Sequence, residues 1–392
     1  MTELAALLTR DGLALLDQVG PIASTAEVAR TVSRLRAAGH SPDLVSAVVG
    51  QAHLRVKARP KFGEFAERML FTRAGLEQAT RLNVAILHAV RMRQAAITAV
   101  ADLGCGIGGD SLAFAGAGLH VTAVDADEVT AGIAAYNLAP FGEDAAVRTG
   151  LAEDNVPDDG AVWLDPARRT AGHSETRRLS ASDWSPSLDW CFEVARQHPT
   201  GIKLGPGLDR DLIPDDVEAQ WVSADGGVVE LVLWSGALAR DGIRRSALIV
   251  AGGQTHELTA AADAEDLPVR DLGAFVHEPD GAVIRARLIR DAGRMLEAGM
   301  LDEQIAYLTG DAAVTSPFVQ SFRVRETLPV HAKTINAALR RSDIGRLEIK
   351  KRGMDIDPAA FRKKFTLRGS QEATLILTRT PAGRIAILAD RV

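Results

Sequence analysis

A glycine-rich turn between two apolar segments is the feature that most restricts the fold of this chain. The turn, Asp102-Leu-Gly-Cys-Gly-Ile-Gly-Gly-Asp110, follows the small apolar residues 95–100 and precedes the alanine-rich segment 110–118. The composition of the first segment favours a buried parallel strand, and that of the second favours a helix with an acid in its first turn. The glycines let the backbone bend tightly and approach a ligand closely. This order predicts the first βα unit of a nucleotide-binding α/β sheet.

The next segment predicts a second parallel strand with an acid at its carboxyl end. Residues 119–124 are mostly apolar and partly β-branched, and Asp125 follows them directly. An acid in this position can accept hydrogen bonds from both hydroxyls of a ribose. The segment therefore predicts a ligand that contains a ribose.

The spacing of the glycines distinguishes two classes of such ligands. NAD is the commonest alternative, but its fingerprint is GxGxxG, and its pyrophosphate needs a helix N-terminus that can receive negative charge. The turn here reads GxGxG and lies between Asp102 and Asp110, which repel a pyrophosphate and attract a cation. A cofactor with a ribose, an ammonium group and a sulfonium group fits better.

The turn together with Asp125 resembles motifs I and II of the class I S-adenosylmethionine-dependent methyltransferases. The resemblance implies S-adenosylmethionine as the cofactor and an α/β fold with a Rossmann-like sheet. In these enzymes an acid after the third strand commonly holds the adenine amino group, and Glu153 and Asp154 are both candidates. The other cofactor-binding residues implied by the motifs are Asp102, Gly104, Cys105, Gly106, Gly108, Asp110, Asp125 and Ala126.

Residues 1–94 predict an N-terminal helical domain. Residues 24–27 predict a capping box, residues 57–61 a basic connection, and residues 72–93 one long helix packed over the cofactor cleft. In that arrangement Thr72 and Gln78 contact the methionine end of the cofactor. Helix caps and surface polar side chains are equally compatible with the sequence.

Further apolar segments predict the rest of a Rossmann-like domain over residues 95–255. The expected strands are 145–148, 161–164, 200–204, 218–222, 228–234 and 246–250, and the expected helices are 127–136 and 184–197. The polar segment 254–267 marks a boundary. A small α+β domain, residues 270–392, is expected to follow. Its predicted helices are 282–298, 333–341 and 357–364, and its predicted strands are 346–350, 373–378 and 384–388, with a loosely patterned middle.

The segment Asp165-Pro-Ala-Arg-Arg169 follows the predicted fourth strand, at the edge where open α/β sheets hold their substrates. Pro166 has a fixed φ and favours extended backbone at Asp165, which gives a rigid turn. A carboxylate and a carbonyl there can accept both hydrogens of an exocyclic amine whose lone pair faces the sulfonium methyl. Asp165 and Pro166 are therefore predicted to be catalytic.

The same segment resembles motif IV of the amino-methyltransferases, (Asp/Asn/Ser)-Pro-Pro-(aromatic). This sequence differs twice, because Ala167 replaces the second proline and Arg168 replaces the aromatic residue that stacks on a base. An Arg side chain can stack on a base or grip a phosphate, so Arg168 is also predicted to act in catalysis. The predicted substrate contacts near this site are Arg168, Arg169 and Lys203. A structural ion pair between Asp165 and Arg168 is the alternative.

Charge is distributed unevenly along the chain. The 392 residues carry a net charge of −6, but residues 321–392 contain 16 Lys and Arg against 7 Asp and Glu. A basic segment on an acidic chain predicts a local surface for a polyanion. The candidate contacts are Lys350, Lys351 and Arg352, and an ordinary charged surface is the alternative.

Several classes of protein are disfavoured by the composition. The first ten residues lack the basic region of a signal peptide, and no apolar run approaches the roughly 20 residues of a membrane span. The nine histidines show no metal-ligand spacing, and two cysteines make no disulfide framework. We therefore expect a cytoplasmic protein without a metal or a membrane contact, and a monomer by default.

The resemblance extends over the whole chain. With the segment after the fourth strand, residues 71–80 and the basic C-terminal unit resemble bacterial methyltransferases that carry a C-terminal THUMP-like domain and are distantly similar to trimethylguanosine synthases. In the C-terminal unit the resemblance rests on residues 339–345, residues 349–353 and the last strands. THUMP domains bind RNA, so it implies methylation of RNA, at an exocyclic amine of a base. Methylation of a small molecule or a protein, and an inactive RNA-binding protein, are the alternative hypotheses.

Overall fold

The structure, a computed structural model, describes residues 6–168 and 183–392. The chain divides into two compact units whose segments alternate along the sequence. The first unit contains the residues up to Leu204 together with 208–217 and 233–239, and the second contains 205–207, 218–232 and 240–392. The boundaries near residues 94 and 255–270 stay predictions.

Helices precede the first strand of the first unit, as predicted. They are α1 (Arg10–Val19), α2 (Thr25–Ala37), α3 (Pro42–Phe62), α4 (Arg73–Gln78) and α5 (Leu82–Gln94). The predicted capping box is confirmed at α2. The backbone N–H of Glu27 donates to Ser24 Oγ (3.3 Å), and that of Ser24 donates to Glu27 Oε2 (3.2 Å).

Two predictions about these helices are wrong. Residues 57–61 are not a connection, because α3 continues to Phe62. The long helix predicted for 72–93 is interrupted after α4 by Ala79, whose backbone is extended (φ −57°, ψ 139°). Lys61 stabilises this interruption, because its ammonium satisfies carbonyls that the end of a helix leaves without partners. Its Nζ donates to the carbonyls of Leu76 (2.8 Å), Glu77 (2.7 Å) and Ala79 (2.8 Å).

The glycine turn begins a parallel sheet, as predicted. In chain order the elements are β1 (Ala99–Leu103), α6 (Gly109–Gly116), β2 (His120–Asp125), α7 (Glu128–Leu138), β3 (Ala145–Thr149), β4 (Ala161–Leu164), β5 (Ala167–Arg168), β6 (Trp184–Ser185), α8 (Leu188–Gln197) and β7 (Thr200–Leu204). Parallel pairing gives the order β7-β4-β1-β2-β3. The carboxyl ends of these strands therefore meet at one edge, where such sheets bind ligands.

Two element boundaries in this sheet differ from the predictions. β1 begins at Ala99 because Ala96 has a positive φ of 57° and turns the chain after α5. The helix predicted from residue 184 begins only at Leu188, with Ser187 as its cap. The residues before it form β6, which pairs in antiparallel orientation with β5.

Aromatic side chains fill the core beside β4 and α6. The ring centroid of the fully buried Trp163 lies 4.5 Å from His88 and 5.6 Å from both Phe114 and Trp234. Gly201 in β7 leaves room for this cluster, since a Cβ there would lie 2.6 Å from the Trp163 ring. The cluster therefore packs against β4 and β7, two strands whose carboxyl ends contribute to the ligand-binding edge.

The second unit begins with strands in a mixed arrangement. They are β8 (Glu218–Ala224), β9 (Gly227–Trp234), whose last two residues belong to the first unit, β10 (Arg245–Ala251) and β11 (Gln254–Ala260). β10 pairs in parallel with β8 and in antiparallel orientation with β11. The segment 254–267 is therefore not polar linker throughout, because its first half forms β11. That strand was missed since its side chains are exposed or only half-buried.

A seven-stranded sheet makes up the rest of the second unit. In chain order the elements are β12 (Phe275–Pro279), α9 (Gly281–Arg285), α10 (Ile289–Met295), β13 (Gly299–Asp302), β14 (Ile305–Gly310), β15 (Val319–Leu328), α11 (Ala332–Arg341), β16 (Ile344–Lys351), α12 (Pro358–Arg362), β17 (Gln371–Thr380) and β18 (Gly383–Arg391). The strand order is β13-β14-β12-β15-β18-β17-β16. The single helix predicted for 282–298 is wrong, because Arg287 (φ 56°) separates α9 from α10.

This sheet curls until β13 approaches β17 from the opposite end. Arg379 of β17 bridges the approach, donating to Gln304 Oε1 (2.6 Å) and lying 3.4 Å from Asp302 Oδ2. The concave side encloses fully buried residues that include Tyr307 and Phe322. On the convex side α11 and α12 cover a second apolar cluster. Side chains of one strand therefore alternate between an enclosed interior and a helix-covered face.

Candidate active site

The glycine turn brings the end of β1 against the residue that follows β4. Gly104, Gly106 and Gly108 have φ values of 95°, 57° and 84°, which favour glycine. A Cβ on Gly104 would lie 3.0 Å from the carbonyl oxygen of Asp165, so the two backbones touch. Apart from Gly106 and its two chain neighbours, no described atom lies within 4 Å of the position of a Cβ on Gly106. The predicted proximity of Asp165 to the turn is confirmed.

Asp125 ties the glycine turn to the end of β2. The backbone N–H of Gly106 donates to Asp125 Oδ2 (3.0 Å), and that of Asp127 donates to Oδ1 (2.9 Å). Burial raises the pKa of this half-buried carboxyl above its ordinary value. Each carboxylate oxygen can accept a second hydrogen bond, so Asp125 retains capacity for ribose hydroxyls. Ala126, the next predicted contact, is exposed.

Asp102 is buried at the end of β1 with half of its carboxyl group unsatisfied. Ser111 Oγ donates to Asp102 Oδ2 (2.5 Å), whereas Oδ1 has no hydrogen-bond partner in the described part of the chain. Burial, and then the nearby Asp110, raise the pKa of Asp102 to about 8. Burial also raises the pKa of the Cys105 thiol. An additional cation beside Asp102 would offset this cost of desolvation.

Asp110 lies at the centre of a buried polar network. Its Oδ2 accepts hydrogen bonds from Thr80 Oγ1 (2.8 Å) and Lys203 Nζ (3.2 Å), and its Oδ1 accepts one from His88 Nδ1 (2.8 Å). Burial opposes ionisation, but Lys203 and His88 outweigh it and lower the pKa of Asp110. Lys203 Nζ also lies 2.6 Å from Asp165 Oδ2. The cation nearest Asp110 is thus supplied by the protein itself.

The remaining predicted residues of this site have different surroundings. Thr72 caps α4 by accepting a hydrogen bond from Gly75, a residue that packs on Ile107 of the glycine turn. Four of the predicted site residues have exposed side chains: Gln78, Glu153, Asp154 and Arg168. Pro166 is buried, and Arg168 lies in β5. Arg169 lies outside the described residues.

Sequence reasoning missed three side chains that the fold brings to the site. Thr80, His88 and Ser111 each contact Asp110 or Asp102, and all three are buried. A histidine inside an amphipathic helix and a threonine between two helices give no local sign of such a role. The seven residues between Asp102 and the helical residue Asp110 also hide the proximity of Ser111 to Asp102.

The side chains present fit a ligand that carries positive charge and a ribose. The ammonium of Lys203 contacts the carboxyl groups of Asp110 and Asp165, and it also acts electrostatically on the buried Asp102. Asp102 Oδ1 is a buried acceptor without a described donor, and Asp125 can accept further hydrogen bonds. An ammonium and two ribose hydroxyls would satisfy these groups.

The predicted basic contacts of the second unit lie on two different sides of the curled sheet. Lys350 Nζ lies 2.6 Å from Glu278 Oε2 and 5.5 Å from the centre of the Phe322 ring, and Arg352 lies 3.4 Å from Glu278 Oε1. Both side chains therefore belong to the concave side of the curled sheet. Lys351 is exposed, and strand alternation places it on the other side, with Leu347.

Grouped metal ligands and membrane-spanning helices are both absent from the residues that the structure describes. Within residues 6–168 and 183–392, no three or more His, Cys, Asp or Glu side chains are grouped as ligands for a metal ion. Every helix in the same ranges is too short or too polar to cross a bilayer.

Comparisons with known proteins agree with this geometry. A family model described as THUMP domain-like matches residues 319–391, and a model for a domain of unknown function matches residues 1–58. Two uncharacterized S-adenosylmethionine-dependent methyltransferases, from two strains of Mycobacterium tuberculosis, are each 35% identical over 90% of this chain and 97% of their own length. The crystal structure of a protein described as a methyltransferase from Porphyromonas gingivalis W83 has the same fold, with a TM-score of 0.72, 22% identity and coverage of 90% of this chain and 91% of that one.

Proposed function

The chain belongs to the S-adenosylmethionine-dependent methyltransferases, and we propose that it methylates RNA at an exocyclic amine of a base. When bound, S-adenosylmethionine supplies a methyl group on a positively charged sulfur. The protein has to place the amine in line with that methyl group and accept the hydrogens of the amine. Asp165 supports the amine chemistry, and the THUMP-like segment supports RNA as the substrate.

The exposure of Asp165 is the observation that carries the proposal. Asp102 and Asp110 are 1% and 5% exposed, whereas the Asp165 side chain is 38% exposed at the carboxyl end of β4. Of these three carboxyl groups, Asp165 is therefore the one that a substrate can reach. When a carboxylate accepts hydrogen bonds from the N–H groups of an amine, the lone pair of the nitrogen points away from the carboxylate. Because the backbones of Asp165 and Gly104 touch, an amine bound to Asp165 would lie next to the glycine turn.

The cofactor is expected to occupy the same edge of the sheet. Asp102 Oδ1 would accept a hydrogen bond from the ammonium of the methionine moiety, and Asp125 would accept hydrogen bonds from the ribose. Glu153 and Asp154 are both exposed after β3, and either would be the acceptor for the adenine amino group. These roles follow from the unsatisfied acceptors and from the motifs of the family.

The segment matched to the THUMP-like model carries all 16 Lys and Arg of residues 321–392. Lys351, Lys363 and Lys364 are exposed there. Arg362 of α12 donates to the backbone carbonyl of Leu347 in β16, so the helix that precedes Lys363 and Lys364 packs on the helix-covered side of the sheet, where Lys351 also lies. We expect that side, rather than Lys350 and Arg352, to contact RNA phosphates.

Transfer of a labelled methyl group tests the substrate class. Purified protein is incubated with labelled S-adenosylmethionine and, in separate reactions, with total RNA, protein extract or small metabolites. We expect label in RNA, and Asp165→Asn should reduce the rate by at least ~100-fold, because its hydrogen bonds act mainly in the transition state. Label in protein or metabolites would overturn the RNA assignment. Bound RNA without label would indicate an inactive RNA-binding protein.

Salt dependence tests the RNA contact. Each phosphate contact to a single strand contributes a log–log slope of about −0.7, so replacing Lys351, Lys363 and Lys364 by Ala should flatten the slope by about 2. The control removes three exposed charges from α2, as Arg30→Ala, Arg34→Ala and Arg36→Ala. Fluorescence anisotropy with an RNA fragment measures both. Equal slopes for the wild type and the first variant would exclude this side of the sheet.

A further inference from the structure

We propose that Lys203 is a positioning residue that fixes the orientation of the Asp165 carboxylate, and that it does not bind the substrate. This inference rests on the role proposed above for Asp165. Lys203 comes from β7, and Asp165 follows the neighbouring strand β4. Lys203 and Asp165 are far apart in the sequence, and the parallel pairing of β4 with β7 brings them together.

Three protein acceptors surround the ammonium of Lys203. Nζ lies 2.6 Å from Asp165 Oδ2, 2.8 Å from Thr80 Oγ1 and 3.2 Å from Asp110 Oδ2. An ammonium group has three N–H donors, so these contacts use its full capacity. The Lys203 side chain is also only 10% exposed. A substrate would have to displace one of these partners to bind Lys203.

The anchor behind Lys203 is itself held in place. Asp110 accepts hydrogen bonds at both oxygens, since His88 Nδ1 donates to Oδ1 (2.8 Å) and Thr80 Oγ1 donates to Oδ2 (2.8 Å). His88 is 1% exposed, and its ring lies 4.5 Å from Trp163 and 6.0 Å from Trp234. His88, Asp110, Lys203 and Asp165 therefore form a row that begins in the aromatic core and ends at the exposed carboxyl group.

Asp165 needs such an anchor because its own side chain is partly exposed. A carboxylate side chain in solvent changes rotamer freely, whereas acceptance of hydrogens from an amine needs placement within about 0.5 Å. The ion pair with Lys203 engages Oδ2 on the buried side. The solvent-exposed part of the carboxyl group is then presented in one orientation.

Crystal structures test the orientation without any substrate. Lys203→Met alone would leave Asp110 buried without its cation, so the main variant is Lys203→Met combined with Asp110→Asn, which removes both charges of the buried pair. We expect one Asp165 rotamer in the wild type and a second rotamer, or a shifted one, in the double variant. An unchanged Asp165 rotamer in the double variant would overturn the proposal, whatever the substrate of the enzyme is.

Kinetics with a methylatable RNA test the consequence. The charge-matched double variant should lower kcat by about 10- to 100-fold and change KM by less than about 3-fold. Added to Asp165→Asn, it should lower kcat by less than about 3-fold further, because Lys203 acts through the carboxylate that is already lost. A full multiplicative loss would contradict the positioning role. Near-normal turnover of Asp165→Asn alone would instead refute the role of Asp165.

Lys61 provides the matched control. Its ammonium also has three acceptors, but these are the backbone carbonyls at the end of α4 and none is Asp165. Lys61→Met should lower the thermal midpoint, and its effect on kcat should be the same with and without Asp165→Asn. If the effect of Lys61→Met on kcat instead shrank in the Asp165→Asn background, the combination of variants would be reporting a general loosening of the fold. That result would also overturn the inference.

Discussion

Replacing Asp102 by Asn removes a carboxyl group that the fold buries and leaves half unpaired. Burial, and then Asp110, raise its pKa from 3.8 to about 8. A carboxyl whose pKa rises on folding takes up a proton from solution wherever the unfolded chain has lost one. Its stabilising contribution is complete below pH 3.8 and is lost as the pH rises toward 8.

The magnitude follows from the size of this shift. One pKa unit corresponds to about 1.4 kcal/mol. Relative to low pH, Asp102 therefore lowers the free energy of unfolding by about 2 kcal/mol at pH 5 and by about 5 kcal/mol at pH 8. Asn has nearly the same volume and does not ionise. Asp102→Asn should therefore stabilise the cofactor-free protein by about 3 kcal/mol more at pH 8 than at pH 5. The other charged groups that act on Asp102 are Asp110, Lys203 and Asp165.

Thermal unfolding of the cofactor-free protein at both pH values measures the effect. The midpoint of the variant should exceed that of the wild type, with the larger difference at pH 8. Asp158→Asn removes an exposed carboxyl group and should show no such difference. The same difference at both pH values, or a variant less stable at pH 8, would refute the reasoning. With S-adenosylmethionine present the advantage should shrink, because the charged Asp102 then gains a partner.

Three further substitutions have defined outcomes. Asp125→Ala should weaken S-adenosylmethionine binding by about 1–3 kcal/mol in calorimetry, since two charge-assisted hydrogen bonds are lost; unchanged affinity would remove Asp125 from the site. Asp165→Ala should retain cofactor binding and lose at least ~100-fold in methyl transfer; near-normal turnover would make Asp165 only the end of a strand. Gly201→Ala should lower stability by about 1–3 kcal/mol, because its Cβ would lie 2.6 Å from the Trp163 ring; an unchanged unfolding midpoint would show that the aromatic core yields easily.

The parts of the site that the sequence predicted depend on local signals. The glycine turn and Asp165 directly follow buried strands, Asp125 is the last residue of β2, and a parallel sheet brings such positions to one edge. Apolar residues located β4 and β7, which are buried along their whole length. The fold class follows from the same pattern.

The parts that could not be predicted depend on contacts between distant residues. Lys203 is 38 positions from Asp165 and 123 from Thr80, and a lysine in a strand gives no sign of either contact. The sequence also gives no sign that Lys350 pairs with Glu278, which lies 72 positions away. The strand β11 was missed because its residues alternate between exposed and half-buried, so that its sequence resembles that of a polar linker.

The alternation of segments between the two units limits how this protein can be divided. A fragment that starts at residue 270 lacks residues 205–207, 218–232 and 240–269, which all belong to the second unit. A fragment that ends at residue 204 lacks the two later segments of the first unit. Because no single cleavage yields either unit complete, truncation is a poor way to assign activities to them. Point substitutions on each unit, within the intact chain, keep both complete.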